Sequence, residues 1–369
     1  MNQAKMNKAE RQSNPVPGWS AVRRTLYLDR VQALRAIVWL VILGLVIPTA
    51  RAGEVTKVGT TAAPFLTISV GARALGMGGA FVGVANDASA LFWNVAGIAQ
   101  LHRPSIIFNH AEWLADINFD YAGLVAPLGG AGTLGASFTS LNTADMEQTT
   151  ELNPEGTGVL FSVGSFAFSL SYARKLTDKF MIGFTGKFVR ETIFNSHATG
   201  VALDVGTLFQ TPMPGLKLGM SITNFGTKMH MSGDDLLIQV DPDPTISGNN
   251  ETINALFQTD DFDMPLLFRV GISYELVKNE THQLLLAADA LHPNDNDESM
   301  NLGGEYRFQD LISLRAGYRA LFLQDSEEGF TVGAGLNTRL GSLSFRLDYA
   351  YEDFGRLNNV QKFTILLGF

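Results

Sequence analysis

The sequence of 369 residues contains no cysteine. A disulfide framework, a thiolate metal site and a cysteine nucleophile are therefore excluded. Basic residues are also scarce, because 27 Lys and Arg against 36 Asp and Glu leave a net charge of -9. Neutralising phosphates needs a basic face, so this balance argues against nucleic acid as a partner. Only 17% of residues are charged, whereas Gly (37) and Phe (25) are abundant. This composition suits a protein with a lipid-facing band.

Residues 1–52 are expected to be an amino-terminal extension followed by an export signal. Arg30 and Arg35 supply positive charge, residues 36–47 are apolar, and residues 50–52 read Ala-Arg-Ala, a small-x-small pattern that signal peptidase accepts. The apolar run is shorter than the roughly 20 residues of a membrane-spanning helix. A retained amino-terminal anchor is the alternative interpretation.

Segments of alternating polarity recur from Ser105 to the end of the chain. In residues 266–276, Leu, Phe, Val, Ile and Tyr share one face, whereas Arg, Gly, Ser and Glu share the other. A side-chain period of two indicates strands with one apolar and one polar face. Fourteen strands are predicted, at residues 105–111, 118–126, 132–140, 166–174, 181–190, 200–209, 216–224, 266–276, 283–291, 301–308, 312–319, 330–339, 343–351 and 361–369.

The connections between these strands alternate in length, apart from the first. The predicted short set comprises residues 127–131, 175–179, 211–215, 277–282, 309–311 and 341–342. The predicted longer set comprises residues 142–165, 191–199, 225–265, 292–300, 320–329 and 352–360. Short periplasmic turns and longer extracellular loops are typical of outer-membrane barrels. A secreted β-sandwich, the alternative, gives no reason for this segregation.

The sequence therefore predicts an all-β fold, a 14-stranded antiparallel transmembrane β-barrel in the cell outer membrane. Outer-membrane lipid is expected to contact the apolar faces of the strands. Both ends of the barrel chain are expected in the periplasm, because an even number of strands brings them to the same side.

The polar faces of the predicted strands carry most of their charges. An Arg at mid-membrane on the lipid side would cost about 2–4 kcal/mol, so these charges are predicted to face the lumen. Two interpretations stay open: a salt-bridged lumen that holds the walls and whatever plugs them, or a polar conduit. The predicted lumen-facing charges are Arg269, Glu275, Glu305, Arg307, Arg315, Arg346 and Asp348.

The segment before the barrel does not alternate and is crowded with Gly and Ala. Small residues allow close backbone packing, so residues 53–103 are predicted to form a small plug inside the lumen of a barrel at residues 104–369. Asp87 is expected to cap a short helical turn at residues 90–92. The predicted plug motif comprises Gly71, Arg73, Gly76, Gly78, Gly79, Asp87 and Asn94.

No catalytic, cofactor or metal site is predicted. A phosphate-loop interpretation of residues 76–79 fails, because no Lys-Ser/Thr follows and no βαβ unit is present. The six His are scattered, and none lies beside an obvious Ser nucleophile. Residues 294–298 offer oxygens for calcium, but the spacing and the glycine of an EF-hand loop are missing.

The connection at residues 225–265 mixes many carboxylates with apolar side chains. Loops of this length are usually functional or disordered. Acidic charge interleaved with apolar anchors suits the docking of a protein partner, whereas solubility is the alternative reason for the charge. The candidate partner loop comprises Leu236, Leu237, Ile253, Leu256 and Phe257.

Residues 71–80 read Gly-Ala-Arg-Ala-Leu-Gly-Met-Gly-Gly-Ala, and residues 86–94 read Asn-Asp-Ala-Ser-Ala-Leu-Phe-Trp-Asn. Together they resemble the amino-terminal signature of the PorV/PorQ family, within the FadL-like group of outer-membrane barrels. The similarity continues through residues 154–158, 170–180 and 202–208. One departure is Val95, which stands where the group usually has proline.

This resemblance implies a fourteen-stranded barrel with an amino-terminal plug, and no enzyme signature stands out in the sequence. It implies a role in type IX protein secretion, in which the extracellular loops bind exported client proteins or other secretion-system components. The FadL side of the group implies an alternative, the transport of hydrophobic small molecules, with a hydrophobic ligand or detergent in the lumen. The sequence does not separate a PorV-like from a PorQ-like role.

Overall fold

The computed structural model describes residues 57–243, 245, 248 and 252–369. The predicted export signal lies outside these residues. Thr56–Phe369 form one compact unit. Within the described ranges, no helix has the length and the hydropathy needed to cross a membrane.

Fourteen antiparallel strands of 8 to 15 residues form the barrel wall of the described chain. This confirms the predicted fold class. The strands are β1 (Ser105–Glu112), β2 (Asn118–Pro127), β3 (Thr133–Asn142), β4 (Val163–Lys175), β5 (Phe180–Ile193), β6 (Ser196–Gln210), β7 (Leu216–Gly226), β8 (Leu267–Lys278), β9 (His282–Pro293), β10 (Ser299–Phe308), β11 (Ile312–Leu321), β12 (Phe330–Leu340), β13 (Leu343–Asp353) and β14 (Asn359–Gly368).

The sheet closes on itself. Each strand pairs with its neighbours in sequence, and β1 pairs with β14 from Ser105 opposite Gly368 to Glu112 opposite Gln361. Closure is required in hydrocarbon, because an unpaired backbone N–H or C=O group costs several kcal/mol where no water can reach it. The apolar carboxyl-terminal strand therefore completes the wall and leaves no exposed sheet edge.

The strands alternate between a lipid-facing and a lumen-facing side, as their sequence pattern predicts. Along β4, the side chains of Phe168, Leu170 and Tyr172 are exposed, whereas Ser169 and Ser171 are buried. The exposed residues of the other strands are likewise mostly Phe, Leu, Ile, Val and Tyr. A continuous apolar belt therefore surrounds the barrel.

The predicted connection at residues 191–199 is wrong. β5 and β6 continue as a hairpin to Ile193 opposite Ser196, so residues 194–195 alone connect them. The sequence pattern predicts a connection here because the outward-facing side chains of β5 and β6 become polar near the turn. Strand pairing does not depend on that polarity, and Phe194 makes the turn with φ of 51°.

The longest connection, residues 227–266, carries secondary structure of its own. Ser232–Gly233 pairs with β6, and Leu237–Val240 forms a separate two-stranded hairpin with Ile253–Leu256. A short pairing of Met146–Glu147 with Leu160–Phe161 lies in residues 143–162. The remaining connections have two to eight residues, and three of them contain a 3₁₀ turn at Leu114–Asp116, Gly129–Ala131 or Gly355–Leu357.

The segment at residues 60–101, named the lumen segment below, packs against strands from all around the barrel and therefore lies inside it. Nearly all of its side chains from Phe65 onward are buried. Its helical elements are a 3₁₀ turn at Pro64–Thr67, α1 (Ala72–Gly76), α2 (Ala90–Trp93) and a 3₁₀ helix at Val95–Gln100.

The lumen segment can approach the wall closely because it is rich in glycine. Gly78 has a φ of +64°, and a Cβ atom at that position would lie 2.7 Å from the backbone nitrogen of Tyr318 on β11. Gly76 is similarly close, since its Cβ would lie 3.0 Å from the Cα atom of Gly333 on β12. Backbone therefore packs against backbone at these positions, as small residues permit.

The predicted helix cap at Asp87 is wrong. The residue before α2 is Ser89, whose side chain makes no capping hydrogen bond. The Asp87 carboxylate instead accepts hydrogen bonds from the Ser89 backbone N–H at 3.0 Å and from its hydroxyl at 2.5 Å. Its other oxygen, Oδ2, forms ion pairs with Arg73 and Arg346 instead of capping the helix.

A charge on the lipid-facing side should destabilise the barrel. We expect Leu170→Arg to lower the free energy of unfolding by about 2–4 kcal/mol, because Leu170 points into hydrocarbon near the middle of β4. The measurement is urea unfolding of the protein inserted in lipid vesicles. Leu170→Ala is the control for the loss of the leucine side chain. Equal stability of the two variants would contradict the lipid-facing assignment.

Candidate functional site

Polar side chains of the wall hold the backbone of the lumen segment. The Gly71 amide donates to Asn109 Oδ1 of β1 at 3.1 Å. On the opposite part of the wall, Asp289 Oδ2 of β9 accepts from the amides of Phe81 and Val82 at 2.8 and 2.9 Å. Because buried backbone N–H groups need partners, these wall residues stabilise a segment that has little regular structure of its own.

Six charged side chains form a closed circuit of ion pairs, named the charge ring below. Starting from Arg73, successive N–O distances are 2.7, 2.8, 2.8, 2.8, 2.7 and 2.8 Å. Acids and bases alternate around the ring, so its formal charge is zero. In order, its members are Arg73, Glu305, Arg315, Asp348, Arg346 and Asp87.

The fold places the ring between the lumen segment and three parts of the wall. Arg73 lies on α1, Glu305 on β10, Arg315 on β11 and the remaining wall members on β13. β12 separates β11 from β13, and its inward positions opposite Arg315 and Asp348 are Gly333 and Gly335. Since a Cβ at Gly335 would lie 2.9 Å from the Arg315 guanidinium, glycine leaves the space through which this arginine crosses β12.

The ring is almost completely shielded from water. The side chains of Glu305 and Asp348 have no exposed surface, and the most exposed member, Arg346, retains 17%. Burial alone would raise the pKa of the Asp87 carboxyl, but the charges of Arg346 and Arg73 outweigh it and hold that pKa well below its usual range. The Asp87 carboxylate is therefore ionised at neutral pH.

Four of the seven predicted lumen charges belong to this ring. Of the other three, Arg307 lies beside it, 3.6 Å from Glu305. Arg269 lies apart and stacks over the indole ring of Trp93, with its guanidinium carbon 5.1 Å from the ring centroid. Glu275 is partly exposed near a short turn and pairs with Lys278 at 2.7 Å.

A second buried charged group lies on β11, β13 and β14, and the sequence pattern missed only its Glu352. Arg319 on β11 pairs with Glu352 on β13 at 2.5 Å, and Lys362 on β14 donates to the carbonyl of Ser69 in the lumen segment. The sequence pattern assigned Glu352 to a connection. The alternation along β13 could have identified Glu352 as a lumen residue, because residues 348, 350 and 352 occupy successive inward positions.

The remaining predicted plug residues also contact the wall or the segment itself. Asn94 Nδ2 donates to the carbonyls of Val82 at 3.0 Å and Thr207 at 2.9 Å, and Asn94 Oδ1 accepts from the Ala96 amide at 3.2 Å. A Cβ at Gly79 would lie 3.0 Å from the side-chain nitrogen of Asn301. The structure therefore brings the whole predicted motif to the interface between segment and wall.

A small cavity lies between the lumen segment and strands β2 to β5. Its volume of about 20 Å³ is enough for about one water molecule. Apolar side chains of the segment line one side of it, and hydroxyl groups of the wall line the other. The lining residues are Leu66, Leu91, Phe92, Tyr121, Ser137, Thr139, Ala167, Ser169 and Lys187.

The predicted partner loop forms an apolar hairpin at the end of the barrel that carries the longer connections. Leu237 pairs with Leu256, and the Phe257 amide donates to the Leu236 carbonyl at 2.9 Å. The side chains of Leu256 and Phe257 are 66% and 60% exposed, and those of Leu237 and Ile253 are also exposed, whereas Leu236 is partly buried. Four large apolar side chains therefore face solvent on one short hairpin.

The carboxylates of residues 294–298 do not converge. Asp295 accepts a hydrogen bond from Thr61 at 2.9 Å, and Glu298 pairs with His292 at 3.0 Å. In the part of the chain that the structure describes, no three His, Asp or Glu side chains are grouped as a metal site.

Comparison with known proteins finds a matching family model and solved structures with a similar fold. The family model described as "Type IX secretion system protein PorV" matches residues 51–210. Comparison with curated protein sequences finds no match.

Several solved structures are similar to the chain, and two of them, with TM-scores of at least 0.50, share its fold. The toluene transporter TbuX of Ralstonia pickettii is 12% identical, with a TM-score of 0.52, and the alignment covers 81% of this chain and 97% of TbuX. The toluene transporter TodX of Pseudomonas putida is 13% identical, with a TM-score of 0.50 and coverages of 81% and 97%. A FadL homologue of Pseudomonas aeruginosa is 15% identical over 81% of this chain and 98% of its own, with a TM-score of 0.47.

The closed fourteen-stranded wall and its lipid-facing belt define an outer-membrane β-barrel, whose fold is similar to those of TbuX and TodX. Within that class, the match of residues 51–210 to the PorV family model supports a PorV-type barrel. The family resemblance in residues 71–80 and 86–94 is thereby confirmed.

Breaking the charge ring should cost more than breaking an exposed ion pair. We expect Arg73→Gln to lower the free energy of unfolding by about 3–5 kcal/mol, because it leaves buried carboxylates short of a partner. Denaturant titration of the protein in lipid vesicles measures the loss. Arg356→Gln is the matched control, since Arg356 pairs with Glu327 in solvent, and no measurable loss is expected. Equal stability of both variants would show that the ring contributes nothing.

The contribution of Asp87 should depend on pH in one direction. Its pKa in the folded protein is below the value of about 3.9 expected in the unfolded chain. The stabilisation is therefore complete above about pH 4 and is lost as the pH falls toward the folded-state pKa. The stability difference between the natural protein and Asp87→Asn should stay constant from pH 8 to pH 5 and shrink below pH 4. A difference that shrinks between pH 7 and pH 6 would contradict this assignment.

Proposed function

We propose that this barrel serves type IX protein secretion by binding exported client proteins or other secretion-system components through its extracellular loops. The family match supports the secretion system. The observation that carries the binding surface is the hairpin of Leu237–Val240 and Ile253–Leu256, which exposes apolar side chains where no other part of the described chain covers them. Aliphatic and aromatic side chains of this kind are the usual anchors of protein interfaces.

The surroundings of the hairpin favour a protein over a lipid as its occupant. Asp260, Asp261 and Asp263 lie within six residues after Phe257 in sequence, and the side chains of Asp261 and Asp263 are mostly exposed. An apolar centre with a charged rim is typical of protein interfaces. We propose that the partner presents apolar side chains flanked by basic residues.

In this proposal the hairpin lies outside the cell and both ends of the barrel chain lie in the periplasm. Support comes from the lengths of the connections: residues 143–162 and 227–266 lie at one end of the barrel, whereas only short turns lie at the other. The lumen segment, held by the charge ring, acts as a plug. The ring favours a salt-bridged lumen over a polar conduit, because its charges are satisfied by one another and not by water.

Transport of hydrophobic small molecules is the second candidate function. It is favoured by the fold shared with TbuX and TodX, both of which are described as toluene transporters. Such a transporter needs an apolar pocket that continues into a gap in the wall. The cavity beside the lumen segment has room for about one water, and the three register shifts in the wall have paired residues on both sides. We therefore place secretion first.

Replacing the hairpin anchors should impair partner binding without affecting the barrel. We expect the triple variant Leu237→Ser, Leu256→Ser, Phe257→Ser to lower recovery of secretion components and client proteins at least tenfold in affinity capture from solubilised outer membranes. Leu152→Ser is the control, because Leu152 is 91% exposed in another outer connection. Unchanged capture by the triple variant would sink the hairpin assignment, and capture of hydrophobic small molecules alone would favour transport.

A further inference from the structure

The lumen segment begins at the end of the barrel that carries the longer connections. The Thr61 hydroxyl donates to Asp295 Oδ2 at 2.9 Å. The Ala62 amide donates to the Asp263 carbonyl at 2.9 Å. Asp295 and Asp263 lie in two different connections of the longer set, so two independent contacts fix this end of the segment.

A third contact places the same end near the hairpin of β5 and β6. The Ala63 amide donates to Glu191 Oε2 at 3.0 Å. Glu191 lies close to residues 194–195, which join the two strands on that side of the barrel. Just ahead of these contacts, Lys57 and Val58 are exposed, and the side chain of Val58 is 60% accessible.

The lumen segment ends at the opposite side. Gln100 Oε1 accepts from Lys217 Nζ at 3.2 Å, and Lys217 is the second residue of β7, directly after a short turn. Arg103 then contacts the carbonyl of Ser342, in the short turn between β12 and β13, at 3.5 Å. The segment therefore runs through the barrel from the longer connections to the short turns before β1 begins.

From this path we infer that the mature amino terminus is displayed on the outer surface of the cell, beside the loops that bind partners. The inference rests on the orientation in the proposed function, in which the longer connections are extracellular. Cleavage after Ala52 would leave four residues, Gly53–Thr56, ahead of Lys57. At roughly 3.3–3.6 Å per residue, the new terminus lies within about 14 Å of Lys57. The chain therefore cannot return to the periplasmic side.

The path of the lumen segment also distinguishes a cleaved export signal at residues 1–52 from a retained amino-terminal anchor. A retained helix in the inner membrane would require the chain to reach Lys57 from the periplasm. The lumen already contains residues 60–101, whose packing against the wall is too close for a second pass. The leader must therefore be removed, and the purified protein should lack residues 1–52 by mass.

The absence of cysteine allows a direct topology test, because every introduced thiol is unique. We expect Val58→Cys to react with a membrane-impermeant maleimide on intact cells. Leu152→Cys, in the outer connection at residues 143–162, is the matched outer control. Gly130→Cys, in the turn between β2 and β3 where a side chain meets no neighbour within 4 Å, should react only after the outer membrane is permeabilised.

The outcomes separate this inference from the proposed function. Labelling of Val58→Cys only after permeabilisation, while Leu152→Cys reacts on intact cells, would overturn the path of the lumen segment and leave the outer loops in place. If Gly130→Cys reacts on intact cells and the other two variants do not, the barrel orientation is reversed, and both the display of the terminus and the proposed loop function fail. A purified protein that retains residues 1–52 would overturn the cleavage.

Discussion

The structure depends on one constraint, namely that hydrocarbon offers no partner to a backbone N–H or C=O group. Closure of β1 on β14 satisfies this constraint and fixes every strand in a common register. Since the side-chain period of a strand is two, closure also sends half of the strand residues outward to lipid and half inward. The apolar belt and the polar lumen are therefore two consequences of one hydrogen-bonded ring.

An inward polar face creates a second problem, because charges inside a narrow barrel lose much of their hydration. The charge ring solves it by pairing each buried carboxylate with two arginines and each arginine with two carboxylates. Buried pairs of this kind gain little net stability over apolar packing, yet removal of one partner is expensive. The ring therefore specifies one position of the lumen segment, since Arg73 and Asp87 complete it only when α1 lies against β10 to β13.

The strands could be predicted because the alternation of apolar and polar side chains is visible in the local sequence. Alternation along Leu266 to Leu276 or Leu343 to Tyr351 reads directly as one face in lipid and one in the lumen. The ion-pair partners of the inward charges could not be predicted. Alternation shows which face of the wall a residue occupies, but it does not show where around the barrel that residue lies. Glu305 and Arg73 are far apart in sequence, and only strand order and the path of the lumen segment bring them to 2.7 Å. The prediction for Asp87 failed for the same reason. Its local sequence suits a helix cap, but its second carboxylate oxygen pairs with arginines that are not its neighbours in sequence.

A lumen filled by its own chain changes what the barrel can do. Contacts at Thr61 and Ala62 fix the segment at one end, Gln100 contacts the wall at the other, and the charge ring holds the middle. Opening a channel would require these attachments to break together, including buried ion pairs that find no replacement in an apolar surrounding. A barrel built in this way is suited to present a fixed surface to proteins, and the energetic cost of moving the segment weighs against repeated passage of solutes through the lumen.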